Sequence, residues 1–170
     1  MPASPTTIIP AGTWVVDPVH SSVEFTVTDV QDLMSTIRGR FREFEGSLET
    51  GENLEDARGN GVIKAASITT DQEQRDEHLR SPDFLDAERH PEITFESSRI
   101  ERVGDDQLRI AGALTLKGRS EEVELDARIL GVGESSKGGE RLVIGSEGEI
   151  QFGPMKVGIS VNLTTIREGS

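Results

Sequence analysis

The sequence predicts an all-β protein, mainly antiparallel, built as a barrel of about eight strands with one short helical insert. Apolar and polar residues alternate with a period of two in many segments, which is the pattern of strands with one buried face. One segment near the middle of the chain carries helix signals instead. The 170 residues suit one ordinary domain. We therefore expect a flexible leader over residues 1–11 and a single barrel domain over residues 12–170.

The N-terminal segment contains Pro2, Pro5 and Pro10, which favour a loose leader ahead of a first strand near Gly12. It has no basic region followed by an apolar run, the pattern of a secretory signal. No stretch of the sequence approaches the roughly 20 apolar residues that span a bilayer. The sequence therefore predicts a cytoplasmic protein without a membrane span.

Charge and cysteine content exclude several classes of function. The formal net charge is −13, and a surface with that field repels nucleic acid and anionic lipid head groups. The sequence has no cysteine, which rules out disulfides, thiolate metal sites and cysteine nucleophiles. We expect no nucleic-acid partner, and any lipid to be bound as single molecules.

The strands follow from the alternation, which is clearest on either side of Gly118–Ser120. Before this turn the apolar residues are Leu108, Ile110, Leu114 and Leu116, with Gly112 in the same phase; after it they are Val123, Leu125, Ala127 and Ile129. The two segments predict a hairpin. The same alternation indicates strands around Trp14, Val23–Val27, Phe41, Val62, Ile93–Phe95, Leu142–Phe152 and Val157–Leu163.

Two local features modify this pattern. Phe41 and Phe44 are three residues apart, so they face inward together only if a β-bulge lies between them. A second hairpin loop is expected over 134–140, where serine, lysine and glycine replace the alternation.

The helical insert is predicted over Thr70–Arg80. Thr70 and Glu73 match a capping box, in which Thr70 is the N-cap residue. Asp71 and Glu73 suit the positive N-terminal end, and Pro82 stops the helix. We expect this helix to form a plug or lid on the barrel.

The inward face is rich in phenylalanine, but alternation alone does not decide whether it packs a dry core or holds a ligand. In both cases we expect a set of large apolar side chains to point into the barrel. They are Phe25, Val27, Phe41, Phe44, Phe95, Leu114, Leu116, Ile150 and Phe152, with Phe84 at the end of the insert.

Catalysis and metal binding are not predicted. Asp17, His20 and Ser21 suggest a hydrolase triad, but neighbouring residues in an extended strand point to opposite faces, and no nucleophile elbow accompanies them. We interpret Asp17–Ser21 as a turn whose side chains bind backbone groups. His20, His78 and His90 have no recognised ligand spacing, so no metal or other cofactor is expected.

Six longer motifs follow one another along the sequence. They are Trp14-Val15-Val16-Asp17-Pro18-Val19-His20-Ser21-Ser22-Val23-Glu24-Phe25, Gly39-Arg40-Phe41-Arg42-Glu43-Phe44-Glu45-Gly46, Ser67-Ile68-Thr69-Thr70, Arg75-Asp76-Glu77-His78-Leu79-Arg80-Ser81-Pro82-Asp83-Phe84-Leu85-Asp86, His90-Pro91-Glu92-Ile93-Thr94-Phe95-Glu96-Ser97 and Gly112-Ala113-Leu114-Thr115-Leu116-Lys117-Gly118. Together, and in this order, they resemble the YceI-like, polyisoprenoid-binding proteins. The resemblance implies a lipocalin-like barrel that holds an isoprenoid or similar amphiphilic lipid, such as an isoprenoid quinone or polyprenyl lipid. It also implies a homodimer.

Two questions about the binding site remain open at this stage. Arg75, Asp76, His78 and Arg80 cluster on the insert and are candidates for a polar mouth that contacts a ligand's head group. Alternatively, Arg75 and Asp76 tie the insert to the barrel rim. The barrel itself is either a carrier or a filled structural or protein-interaction module without a ligand.

Overall fold

The structure, a computed structural model, describes residues 8–29, 35–153 and 155–169. Within these ranges the chain forms eleven strands, one α-helix and two short 3₁₀ turns. The elements are β1 (Gly12–Val16), β2 (Ser22–Asp29), β3 (Ser35–Phe41), β4 (Phe44–Thr50), a 3₁₀ turn (Leu54–Asp56), β5 (Arg58–Lys64), a 3₁₀ turn (Ala65–Ser67), β6 (Ile68–Thr69), α1 (Glu73–Arg80), β7 (Glu92–Arg102), β8 (Gln107–Leu116), β9 (Arg119–Glu134), β10 (Glu140–Phe152) and β11 (Met155–Arg167).

All strand pairs are antiparallel, and the sheet closes into a barrel. The ring runs β1-β4-β5-β7-β8-β9-β10-β11 and closes where β11 pairs with β1, so it has eight strands. The first part of β11 pairs instead with β2, which pairs with β3. Next to β11, the barrel wall is therefore formed by β2 and β3 at one end, and by β1 and β4 at the other end. The predicted fold class is confirmed.

One end of the barrel, which we call the packed end, is filled by side chains. Trp14 and Leu142 are fully buried there, and five further buried residues join them: Ile9, Leu108, Ala127, Ile129 and Ile144. The Trp14 Nε1–H lies 3.1 Å from Thr50 Oγ1, so the buried indole has a hydrogen-bond acceptor. The inward phase of β1, β8, β9 and β10 thus produces a conventional core at this end.

The predicted leader lies partly outside the described residues, because residues 1–7 are not among them. Of the described part, Ile9 packs into the core with Trp14. Thr50 donates a hydrogen bond to the carbonyl of Pro10 at 2.7 Å. The strand after this segment begins at Gly12, as the sequence indicates.

The helix α1 begins two residues later than the predicted N-cap at Thr70 requires, and the expected capping box is wrong. Its N-cap residue is Gln72, whose side-chain oxygen accepts from the backbone N–H of Arg75 at 2.9 Å. Asp71 takes a left-handed backbone conformation with φ of 62°, so the chain turns before the helix starts. The Thr70 hydroxyl is not available as a cap, because Asp76 and Arg75 both bind it.

Two further predictions concern turns. The β8–β9 hairpin is confirmed, but its turn is Lys117-Gly118 and not Gly118–Ser120, because Arg119 and Ser120 already pair with β8. Lys117 and Gly118 both have positive φ, as in a two-residue type I′ turn. The β-bulge predicted between Phe41 and Phe44 is wrong. The strand is interrupted instead, with β3 ending at Phe41, β4 starting at Phe44 and Arg42 turning its N–H to the carbonyl of Ser67.

Candidate functional site

The other end of the barrel, which we call the hollow end, encloses a cavity of about 290 Å³. Its wall is made mainly of valine, leucine, isoleucine and phenylalanine side chains. A cavity of this kind, apolar and few in polar groups, is the usual form of a small-molecule site. The alternation along the strands therefore produces a close-packed core at one end, and a cavity bordered by a second buried cluster at the other.

All six phenylalanines of the chain line this cavity. Phe25 is buried, while the other five are only half-buried although they face inward. Phe25 and Phe41 contact each other with ring centroids 5.4 Å apart. The five half-buried rings face open space, so apolar surface remains available to a ligand.

The structure brings together every residue of the predicted apolar set. All ten lie on the cavity wall: Phe25, Val27, Phe41, Phe44, Phe84, Phe95, Leu114, Leu116, Ile150 and Phe152. Their positions follow from the strand registers, in which Phe25 pairs with Ile159 and Phe95 with Leu114. Contact of these residues with a ligand stays a prediction.

The inner end of the cavity, which we call its floor, is formed by side chains that also belong to the packed end. Leu48 and Ile110 line the cavity and also pack against the core cluster of Trp14. Ile144 belongs to both sets as well. The core cluster of the packed end thus closes the cavity on this side.

The insert covers part of the hollow end. Leu79 on α1, and Phe84 and Leu85 after it, line the cavity. Leu85 and Ala87 are buried in a cluster with Phe25, Ile68 and Ile93. The tip of the β8–β9 hairpin binds the insert too, because Lys117 Nζ donates to the carbonyl of Pro82 at 2.7 Å. The insert therefore forms part of the cavity wall, and the side of the insert that faces the cavity is apolar.

Asp76 anchors α1 to the chain that follows β6. Its carboxylate accepts from the backbone N–H of Thr70 at 2.7 Å and from the Thr70 hydroxyl at 2.5 Å. Burial raises the pKa of Asp76, but these hydrogen bonds, a bond with the Thr69 hydroxyl and the charge of Arg80 outweigh it, so the pKa lies below its usual value. Arg75 completes the anchor by donating to Thr70 Oγ1 at 2.8 Å and to its carbonyl at 3.0 Å.

None of the four residues of the predicted polar mouth lies on the cavity wall. Arg75 and Asp76 are engaged with Thr70, which supports the alternative that they tie the insert down. His78 is exposed, 3.2 Å from Asp83, and its ring lies edge-on to Phe84. Arg80 lies 3.5 Å from Glu73. A role of these side chains in head-group binding stays a prediction.

The Asp17–Ser21 segment is a turn held by its own polar groups. His20 Nδ1 lies 2.7 Å from Asp17 Oδ2, and the hydrogen bond from His20 lowers the pKa of Asp17. Ser21 Oγ accepts from the backbone N–H of Thr164 at 2.9 Å. The serine is thus bound to β11 rather than to the imidazole, as expected for a structural turn.

Sequence analysis missed several residues of the cavity wall, and two of them, Gly59 and Gly61 on β5, carry no side chain. They share the inward phase with Ile63, but glycine has no side chain, so it does not count as an apolar position when alternation is used to find inward-facing residues. The signal that could have found them is the spacing Gly59-x-Gly61-x-Ile63 within one strand.

Within the ranges that the structure describes, no helix is long and apolar enough to cross a membrane. Across the same ranges, no three histidine, aspartate or glutamate side chains come together as a metal site would require.

Comparison with known proteins gives a consistent result. The model of the YceI-like domain matches residues 14–167. The chain is 36% identical over 134 residues to the protein YceI of Escherichia coli, covering 78% of this chain and 69% of that one.

Two solved structures share the fold. The Burkholderia cenocepacia protein BcnA superposes with a TM-score of 0.74 at 20% identity, covering 88% of this chain and 98% of the other. A polyisoprenoid-binding domain from Saccharophagus degradans, implicated in plant cell wall breakdown, gives a TM-score of 0.67 at 15% identity and covers 93% and 99%.

Proposed function

Since the chain belongs to the YceI-like family, we propose that it binds an elongated apolar ligand, of the polyisoprenoid class, inside the hollow end of the barrel. The observation that carries the proposal is the apolar cavity, into which five half-buried phenylalanine rings project. A polyisoprenoid-binding domain of the same fold supports the ligand class. The role is that of a carrier, not of an enzyme.

The energetics suit a long methyl-branched chain. Each CH₂ group that leaves water contributes about 0.8 kcal/mol, so one isoprene unit contributes several kcal/mol. Part of this is offset by the ordering of a flexible tail. Because the wall offers broad apolar contact and few polar groups, tail length determines affinity more than head-group chemistry.

The rival hypothesis of a filled barrel predicts an interior without a cavity, and the cavity at the hollow end argues against it. Assembly as a homodimer and a cytoplasmic location remain predictions from the sequence.

The test is identification of the ligand. The protein is purified without detergent and denatured, and the organic extract is analysed by mass spectrometry against a mock purification. Protein loaded with mixed polyisoprenoids is treated in the same way. We expect a stoichiometric isoprenoid quinone or polyprenyl species; an empty extract in both cases would contradict the proposal.

A pair of variants distinguishes binding in the cavity from adsorption to the outside. Leu114→Lys places a charge on the cavity wall, where apolar surroundings disfavour it. Ala113→Lys, its neighbour on the opposite face of β8, lies between Glu96 and Glu122 and is the matched control. We expect loss of the extracted ligand in the first variant and retention in the second. Equal retention in two variants that both fold would place the ligand elsewhere.

A further inference from the structure

Glycine inside a strand weakens it, so each such glycine needs a reason: a positive φ, close packing against a neighbour, or the approach of a ligand. Gly12, on β1, has a φ of 155°, which favours glycine. Apart from Gly12, the inward face of this barrel carries glycines on five strands. They are Gly39, Gly46, Gly59, Gly61, Gly112 and Gly148. None of them has a positive φ, so backbone conformation does not require glycine at any of these positions.

Close packing explains four of the six. A Cβ atom at Gly39 would collide with the ring of Phe25, and one at Gly148 with Leu125. A Cβ at Gly46 would lie 2.8 Å from the carbonyl oxygen of Asn60, and one at Gly112 would lie 2.6 Å from the ring of Phe95. At Gly39, Gly46 and Gly112 a backbone oxygen also lies within 2.8 Å, so no side chain fits there, whereas at Gly148 the tip of Leu125 would have to move.

Gly59 and Gly61 have no such neighbour. A Cβ at Gly61 would meet only the carbonyl oxygen of Glu45, at 3.6 Å, and one at Gly59 would meet Leu48 Cδ1 at 3.6 Å. Both distances are ordinary van der Waals contacts. Gly61 pairs with Phe95, but the Phe95 ring leans over Gly112 instead. At Gly59 and Gly61 the cavity wall therefore consists of backbone atoms without side chains, and we call these two positions the bare stretch.

This bare stretch lies beside the floor of the cavity. Gly59 pairs with Leu48, which lines the cavity and packs against the core cluster of Trp14. Gly61 is the next inward position towards Ile63. Any side chain at these two positions would fill the deepest part of the cavity.

We infer that Gly59 and Gly61 are specificity-determining residues, which keep the deep part of the cavity open for the inner end of a long apolar chain. The inference rests on the proposed function and adds the determinant of ligand length. A leucine side chain is about as large as one isoprene unit, so a single substitution shortens the space by about one unit.

The test compares Gly61→Leu with wild type and with Gly158→Leu. Gly158 is the matched control, because it lies inside β11 between cavity-lining Val157 and Ile159 and so faces outward. A Cβ there meets only Thr26, at 3.8 Å or more. Binding of farnesol, geranylgeraniol and solanesol is measured by native mass spectrometry, with folding followed by circular dichroism.

We expect Gly61→Leu to bind solanesol about a hundredfold more weakly or worse, because about one isoprene unit of the chain is left unburied. Farnesol, the shortest of the three, can shift outward by one unit and keep most of its chain inside the barrel, so its affinity should fall less than that of solanesol. Gly158→Leu should bind all three normally. If Gly61→Leu does not fold, Gly61→Ala carries the test, with a smaller loss in the same direction.

Unchanged solanesol binding in a folded Gly61 variant, or equal loss of all three alcohols, would overturn the inference. Failure of the wild type to bind any of the three would instead overturn the proposed function.

Discussion

The two ends of the barrel are built from the same strands and the same alternation, yet one is filled and the other is hollow. At the packed end, Trp14 and Leu142 have no exposed surface. At the hollow end, five phenylalanines stay half-buried around a cavity of about 290 Å³. The difference teaches that a period of two fixes which face a side chain takes but not whether its neighbours fill the space in front of it.

The largest expected effect lies at the packed end. Trp14→Ala removes the largest side chain of a close-packed core and should cost about 3–5 kcal/mol in the free energy of unfolding. Phe44→Ala at the hollow end should cost only about 1 kcal/mol, because its half-buried ring borders a cavity. Urea denaturation followed by circular dichroism measures both. Equal costs would show that the two ends do not differ in packing.

An intermediate effect is expected at the anchor of the insert. Asp76→Ala leaves the buried backbone N–H of Thr70 without an acceptor and should cost about 2 kcal/mol. The hollow end should loosen more than the packed end, as measured by hydrogen exchange. Uniform loss of protection throughout the barrel would contradict this.

The same anchor predicts a dependence on pH. Because the pKa of Asp76 is lowered in the folded state, its contribution to stability is full above the unfolded value, about 3.9, and is lost as pH falls through the folded value. Below pH of about 4, wild type should therefore lose more stability than Asp76→Asn does. Parallel acid titrations of the two proteins would refute the assignment.

The smallest effect is expected at His78. Because this side chain is exposed and lies off the cavity wall, His78→Ala should change the free energy of unfolding by no more than about 0.5 kcal/mol. Affinity for an isoprenoid with a polar head group and for a plain hydrocarbon should stay the same. A selective loss of the polar-headed ligand would instead support the polar-mouth hypothesis for the insert.

Much of this architecture was predictable from the sequence. The fold class, the β8–β9 hairpin and the inward phase of most of the apolar strand residues follow from local alternation, which strand pairing preserves. Phe84, which lies in the insert, and Phe44, which is out of phase with Phe41, do not follow from alternation. The start of α1 was not predictable, because Thr70 serves the tertiary contact with Asp76 and Arg75 rather than a local cap. The same holds for the break at Arg42, which pairs with the chain near Ser67.

The position of each residue along the barrel axis could not be predicted from the sequence either. Phe95 and Trp14 both lie in sequence segments in which apolar and polar residues alternate. The strand registers place Phe95 on the cavity wall and Trp14 in the core. The bare stretch at Gly59 and Gly61 depends on the orientation of the Phe95 side chain, whose ring lies next to Gly112. Only the packed structure shows this orientation.

The most direct test of the central claim is to locate a bound isoprenoid by NMR. The protein has six phenylalanines and one tryptophan, so aromatic labelling separates the hollow end from the packed end. We predict nuclear Overhauser contacts from bound geranylgeraniol to the rings of several phenylalanines, including Phe95, and none to Trp14. Contacts to Trp14, or a bound ligand without contacts to any phenylalanine, would contradict the account.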